Sequence, residues 1–154
     1  MDAFTKELNE LLVNSFWSIL KVEEKMLQHD HNINLSINEF HLIETVGNGD
    51  ANGITVGDIA QKLQIAPPSV TVSINKLRTK GYVEKRRDER DGRVVYVTLT
   101  ELGQKINRLH QYFHARMVSD VAQELTDQER EVLLSGLRKL SSFFNRRTGG
   151  AAAK

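Results

Sequence analysis

The chain has 154 residues, no cysteine, 27% charged side chains and a formal net charge of +1. The length fits one ordinary globular domain or two small ones. The missing cysteine excludes a disulfide framework, cysteine-ligated zinc and a thiol nucleophile, and suits a reducing cytoplasm.

Residues 4–28 show helical periodicity, with Phe4, Leu8, Leu11, Leu12, Phe16, Ile19, Leu20 and Leu27 spaced by three and four. Trp17 and Val22 widen the apolar stripe, so this helix needs more than one partner surface. Asp30-His31-Asn32 ends it. Ser36-Ile37-Asn38-Glu39 is a capping box that opens a second helix through Phe40, Leu42, Ile43 and Val46. The glycine-rich stretch from Gly47 to Gly53 is a loop. Thr55 caps a short third helix carrying Val56, Ile59, Ala60 and Leu63, and Gln64-Ile65-Ala66 is the turn after it.

Pro67-Pro68 starts a fourth helix, because proline is tolerated where a backbone N–H has no helical partner. Its inward positions are Val70, Ile74 and Leu77, and Gly81 stands where the helix stops. Val83–Arg87 and Val94–Thr98 are β-rich runs around the turn Asp88-Glu89-Arg90-Asp91-Gly92, which predicts a hairpin. Thr100-Glu101 opens a long helix with Leu102, Ile106, Leu109, Phe113, Met117 and Val121 in one stripe. Thr126-Asp127-Gln128-Glu129 is a second capping box, followed by a helix with Val132, Leu133, Leu137, Leu140, Phe143 and Phe144. The low-complexity end, residues 148–154, is expected to be a disordered tail.

Two short helices joined by a three-residue turn make a helix-turn-helix, whose second helix enters the DNA major groove. Its outward residues here are Ser69, Thr71, Val72, Asn75, Lys76 and Arg78. Ser69, Thr71 and Asn75 suit hydrogen bonding to bases or phosphates, Val72 suits a thymine methyl, and Lys76 and Arg78 suit phosphates. The hairpin adds Lys85, Arg86, Arg87, Arg90 and Arg93. As a wing it would lay Arg93 in the minor groove, with Asp91 orienting Arg93 by a charge-assisted hydrogen bond.

The charge distribution agrees with a local DNA-binding face. Residues 1–50 carry 3 basic and 9 acidic side chains, residues 51–100 carry 9 and 5, and residues 101–154 carry 9 and 6. The stretch Lys76 to Arg93 alone holds 8 basic and 4 acidic groups. Salt screens charges beyond roughly 8 Å, so a basic stripe attracts phosphate whatever the total.

From Leu35 to Gly103 the sequence resembles the MarR family of winged-helix transcriptional regulators. The resemblance is carried by Ser69-Val70-Thr71, by Leu77-Arg78-Thr79-Lys80-Gly81-Tyr82-Val83, and by Asp91-x-Arg93 followed by Leu99-Thr100-x-x-Gly103. It implies a mainly α fold with a small β-wing (α+β), flanked by long dimerisation helices. The implied division is 1–34 for an N-terminal dimerisation helix, 35–99 for the winged helix-turn-helix and 100–147 for C-terminal dimerisation helices. The implied function is that of a homodimeric repressor on a pseudo-palindromic operator of double-stranded DNA. The wide apolar stripes of the first and last helices independently favour a dimer, since a monomer would expose them.

Five histidines, His29, His31, His41, His110 and His114, bear on what the regulator senses. His110 and His114 are four apart, a spacing that suits zinc. Resemblance to zinc-responsive members would make His41, His110, His114 and Glu23 or Glu24 the ligands, with Glu24 the acidic candidate. Against a metal, cysteine is absent and Phe40 stands where a further carboxylate would be expected.

Within the family, residues 106–118, Val22-Glu23-Glu24, Lys80–Glu84 and the Phe40-His41 neighbourhood resemble the fatty-acid-synthesis repressors of Gram-positive bacteria. That likeness implies no metal, and a long-chain acyl group on acyl carrier protein as co-repressor. The alternatives are a zinc-responsive repressor and a regulator that senses another small apolar or phenolic ligand.

An enzyme is not expected, because there is no phosphate-binding glycine loop, nucleophile elbow or readable carboxylate pair. No apolar run approaches the ~20 residues of a membrane span, and residues 1–7 lack the pattern of a signal peptide. The expected setting is cytoplasmic.

Overall fold

The computed structural model describes residues 2–28 and 33–148. The chain divides into two compact units, Met1–His41 and Leu42–Lys154. His29, His31, the expected helix end at 30–32 and residues 149–154 of the expected tail lie outside the described residues.

The first unit is built on α1 (Ala3–Gln28). Asp2 caps it: its Oδ1 accepts from the Thr5 N–H at 2.8 Å and from the Thr5 hydroxyl at 3.0 Å. Phe4, Leu11, Phe16 and Trp17 are exposed along this helix. The capping box is present, with the Ser36 N–H donating to Glu39 Oε2 at 2.8 Å and the Glu39 N–H to Ser36 Oγ at 3.3 Å. It opens α2 (Ile37–Gly47), which continues into the second unit.

The second unit holds β1 (Ile54–Thr55), α3 (Val56–Leu63), α4 (Pro67–Thr79), β2 (Val83–Arg87), β3 (Val95–Leu99), α5 (Glu101–Gln123) and α6 (Asp127–Thr148). Its core gathers Leu42, Ile43, Val46, Ile54, Ile59, Val70, Ile74, Leu77, Val83 and Val97. The expected hairpin is part of a three-stranded antiparallel sheet of order β1-β3-β2. Sequence gave no sign of β1, since two residues carry no periodicity. They pair because Ile54 lies opposite Val97 and is buried with it. The second hairpin strand is shifted by one residue from the expected Val94–Thr98. Thr148, placed in the expected tail, is the last residue of α6.

Helix ends explain how α3 and α4 are set. Thr55 caps α3 by accepting from the Asp58 N–H at 3.1 Å. The helix closes with Gln64 left-handed at φ 54°, the Gln64 N–H bonded to Gln61 and the Ile65 N–H to Ala60. Gly81 (φ 84°) plays that part for α4, with the Gly81 N–H bonded to Arg78 and the Tyr82 N–H to Leu77. At the other end of α4, Pro67 and Pro68 have no N–H, and those of Ser69 and Val70 both reach the Ala66 carbonyl.

The apolar stripe expected on α5 is not its buried line. Gly103, Ile106, Asn107 and His110 are buried, whereas Leu102, Leu109 and Val121 are exposed. Gly103 and Gly47 explain the shift: a Cβ at Gly103 would collide with the Tyr82 carbonyl, and one at Gly47 with the Asn107 amide. Close backbone approach selects these positions of α5, polar Asn107 included. No described residue of α6 is buried, although it carries Val132, Leu134, Leu137 and Phe144.

Candidate nucleic-acid interface

Val70, Ile74 and Leu77 are fully buried and fix the rotation of α4. That rotation leaves Ser69, Val72, Asn75, Lys76 and Arg78 exposed and Thr71 half-buried. The side chains are not equally available. The Thr71 hydroxyl donates to the Pro67 carbonyl at 3.1 Å, and Asn75 Oδ1 accepts from Lys85 Nζ at 3.0 Å. A shallow groove of about 450 Å³ runs along this face, lined by Val72, Asn75, Lys76, Thr79 and Lys80. Thr79 and Lys80 were absent from the sequence-derived face. Helical spacing from Asn75 to Thr79 could have added the first of them.

The wing turn is ordered by its own carboxylates. Asp88 Oδ1 accepts from the Arg90 N–H at 2.8 Å and the Asp91 N–H at 2.9 Å. These bonds, the one from Asp91 first, hold the Asp88 carboxyl below its ordinary value of 3.8. The Asp88 N–H and Val94 carbonyl close the turn at 2.9 Å.

Asp91 makes a charge-assisted hydrogen bond to Arg93, as expected, and makes it to the main chain. Its Oδ1 takes the backbone N–H of Arg93 at 3.0 Å, not the guanidinium. A short carboxylate two residues upstream reaches the main chain more readily than the end of a long side chain. Asp91 therefore sets the backbone from which Arg93 projects.

Arg86 is drawn back onto the sheet. It stands opposite Tyr96 in the strand register, its guanidinium 5.5 Å from the Tyr96 ring centre. Its Nη2 also lies 3.5 Å from the Asn52 carbonyl. By contrast, the side chains of Lys76, Arg78, Arg87, Arg90 and Arg93 make no hydrogen bond or ion pair among the described residues. Five unneutralised cations thus lie on the outward part of α4 and on the wing, the disposition that phosphate contacts require.

The wing is tied to α5 through Thr100. Its hydroxyl donates to the Gly81 carbonyl at 2.6 Å and accepts from the Gly103 N–H at 3.1 Å, while its own N–H reaches the Tyr82 carbonyl at 3.1 Å.

The histidines fall into two groups, one in each unit. In the first unit, His41 Nε2 is 3.8 Å from the carboxylate of Glu23. Glu23 is buried and Glu24 is exposed, so the acidic candidate shifts from Glu24 to Glu23. One residue along a helix rotates the side chain by about 100°, enough to turn it away. In the second unit, His110 and His114 approach through Nε2 atoms 3.0 Å apart, and His110 Nδ1 is 3.6 Å from Glu44 Oε2. Which of the two Nε2 atoms donates depends on the imidazole tautomers.

The MarR family model matches residues 33–94. A crystal structure of Streptococcus pneumoniae FabT in complex with DNA is similar over 92% of this chain and 98% of its own, at 34% identity and a TM-score of 0.87. A MarR family protein from Bacillus stearothermophilus is similar over 94% of this chain and 99% of its own, at 25% identity and a TM-score of 0.71. The HTH-type transcriptional regulator YwhA of Bacillus subtilis is 26% identical over 87 residues, 56% of this chain and 63% of its own length. The chain spans 63%, 50% and 58% of the first three curated relatives it matches.

Proposed function

This chain belongs to the MarR family of winged-helix transcriptional regulators, and on that premise we propose that it is a homodimeric repressor of a pseudo-palindromic operator. In this reading α4 enters the major groove and Arg93 the adjacent minor groove, with Lys76, Arg78, Arg87 and Arg90 on phosphates. The observation that carries it is the joint exposure of the α4 face and of five cations with no internal partner. A twofold pair would place its reading helices about 34–36 Å apart, one turn of DNA.

The dimer rests on α6. Among its described residues α6 buries no side chain, so it gains little from tertiary packing, which supplies most helical stability in proteins. Its apolar side chains and those of α1 suit burial against a second copy.

The regulated genes, in this proposal, are those of fatty-acid biosynthesis, and the co-repressor is a long-chain acyl group on acyl carrier protein. Support comes from the resemblance of residues 106–118 to that subfamily and from the whole-chain similarity to FabT. The protein acts as a regulator and not a catalyst, in the cytoplasm. No described helix is long and apolar enough to cross a membrane.

A zinc-responsive regulator is the second reading, favoured by the paired His110 and His114 nitrogens and by the Glu23 carboxylate beside His41. Imidazole nitrogen and carboxylate oxygen fit zinc, which would cross-link the side chains it holds. Operator affinity measured with and without long-chain acyl carrier protein tests the first reading, and equal affinities would sink it. Native mass spectrometry of the purified protein separates bound zinc, an acyl species and a small phenolic ligand by mass.

A further inference from the structure

We propose that Lys85 presets the hydrogen-bonding polarity of Asn75 and adds its own N–H donors there, so that this point of the reading helix is donor-rich and favours guanine over adenine. The inference rests on the operator-reading role of α4 given above. Lys85 lies on β2 and Asn75 on α4, and the ammonium holds the amide oxygen at 3.0 Å. An ammonium has three donors and no acceptor, so the amide must turn Oδ1 toward it and Nδ2 away. The oxygen and nitrogen of an asparagine are otherwise interchangeable by a flip, and here the partner's chemistry removes that ambiguity.

Strand register explains why the lysine can reach. Successive β2 side chains alternate between faces, so Lys85 shares the face of Val83. Val83 is in the core, and α4 is the helix that packs on this strand. Glu84 and Arg86 point to the other face and cannot substitute. Asn75 itself is exposed and lines the outward groove, one turn from Val72 and Thr79.

The consequence concerns which base edge fits. Asparagine pairs with adenine by donating to N7 and accepting from N6 at once, which needs both amide atoms. Oδ1 keeps a second lone pair, but an amino group that sought it would lie beside the Lys85 ammonium and compete with it, whereas the Nδ2 N–H groups and the remaining lysine N–H groups are open donors. Guanine presents two acceptors, N7 and O6, on its major-groove edge and no donor. It is the better complement of this donor-rich pair. Adenine and cytosine each bring an amino group to a place crowded with donors and already carrying a positive charge.

The test is selection of double-stranded DNA from a randomised library by the full-length protein, its Lys85→Met variant and its Asn75→Ala variant. Lys85→Met keeps the stem and removes the charge, and thermal melts by circular dichroism check that each variant folds. The wild type is expected to enrich guanine at one position of each half-site. Lys85→Met is expected to move that position alone toward adenine, changing the guanine-to-adenine ratio by at least about fivefold, the low end for a bidentate contact. Asn75→Ala should level it. If Lys85→Met weakens binding to all sequences alike and lowers the salt slope by about one, Lys85 is a phosphate contact and the proposal is overturned. If the wild type enriches no sequence, the operator-reading role itself fails, and the proposal with it.

Discussion

The hydroxyl of Thr100 donates to the carbonyl of Gly81 at 2.6 Å, across nineteen residues. The same oxygen caps α5 by accepting from Gly103. One side chain thereby joins the end of α4, the base of the wing and the start of α5. The Leu99-Thr100-x-x-Gly103 pattern has a packing reason: threonine makes two bonds, and glycine lets α5 touch the Tyr82 carbonyl.

Replacing either residue should cost stability without touching the DNA face. Thr100→Val is expected to lose about 1–2 kcal/mol, the range of an N-cap plus a tertiary bond. Gly103→Ala should lose about 1–3 kcal/mol by overpacking, read from the urea midpoint at unchanged slope.

Gln64 offers the opposite outcome. Its backbone is left-handed at φ 54°, a conformation usually given to glycine at a helix end. Gln64→Gly should be neutral or stabilising by up to about 1 kcal/mol, and the thermal midpoint checks the sign. A fall of several degrees would show that the side chain contributes more than its strain costs.

Arg93→Ala should weaken operator binding by about 1–3 kcal/mol per copy and leave the oligomeric state unchanged. Fluorescence anisotropy against operator DNA and sedimentation of the free protein measure the two quantities. Binding should also fall steeply with salt, because each phosphate contact releases counterions. Arg87→Gln and Arg90→Gln should each flatten that dependence by about one contact.

Leu137→Glu places a charge among the exposed apolar side chains of α6. Sedimentation should show dissociation to monomers and circular dichroism a loss of helical content, since an unpartnered α6 has little packing to hold it. A dimer of unchanged affinity would place the interface elsewhere.

The wing turn should respond to acid. The folded-state value of Asp88 is depressed, so its contribution is complete above the unfolded value of 3.8 and is lost as pH falls through the lowered folded value. Glu129, bonded by the Thr126 hydroxyl and N–H, behaves likewise below its ordinary 4.5. The amide shifts of Arg90 and Asp91 should titrate with a midpoint below 3.8, and Asp88→Asn should abolish that titration.

Most of the helices and the outward face of α4 were legible because they rest on local chemistry. Ser36, Thr55, Thr100 and Thr126 announce helix starts, and the burial of Val70, Ile74 and Leu77 follows from their spacing alone. What escaped was set by tertiary contact. β1 exists because β3 is beside it, and the buried line of α5 follows glycines that admit a neighbouring backbone or amide. Arg86 is turned back by Tyr96, and Asn75 is engaged by a lysine on another element. Asp2 is a different case, since its caps to Thr5 are local and the residue type was readable.

The amino end of α4 carries one more consequence. Helix starts commonly offer several free N–H groups, which bind phosphate without regard to sequence. Here two are removed by Pro67 and Pro68, and the next two are spent on Ala66. The backbone therefore offers no free N–H at those four positions, and in the proposed reading discrimination would fall to Ser69, Val72, Asn75 and their neighbours. Retargeting such a protein to a new address becomes a matter of exchanging a few surface letters, because the scaffold beneath them takes no part in the spelling.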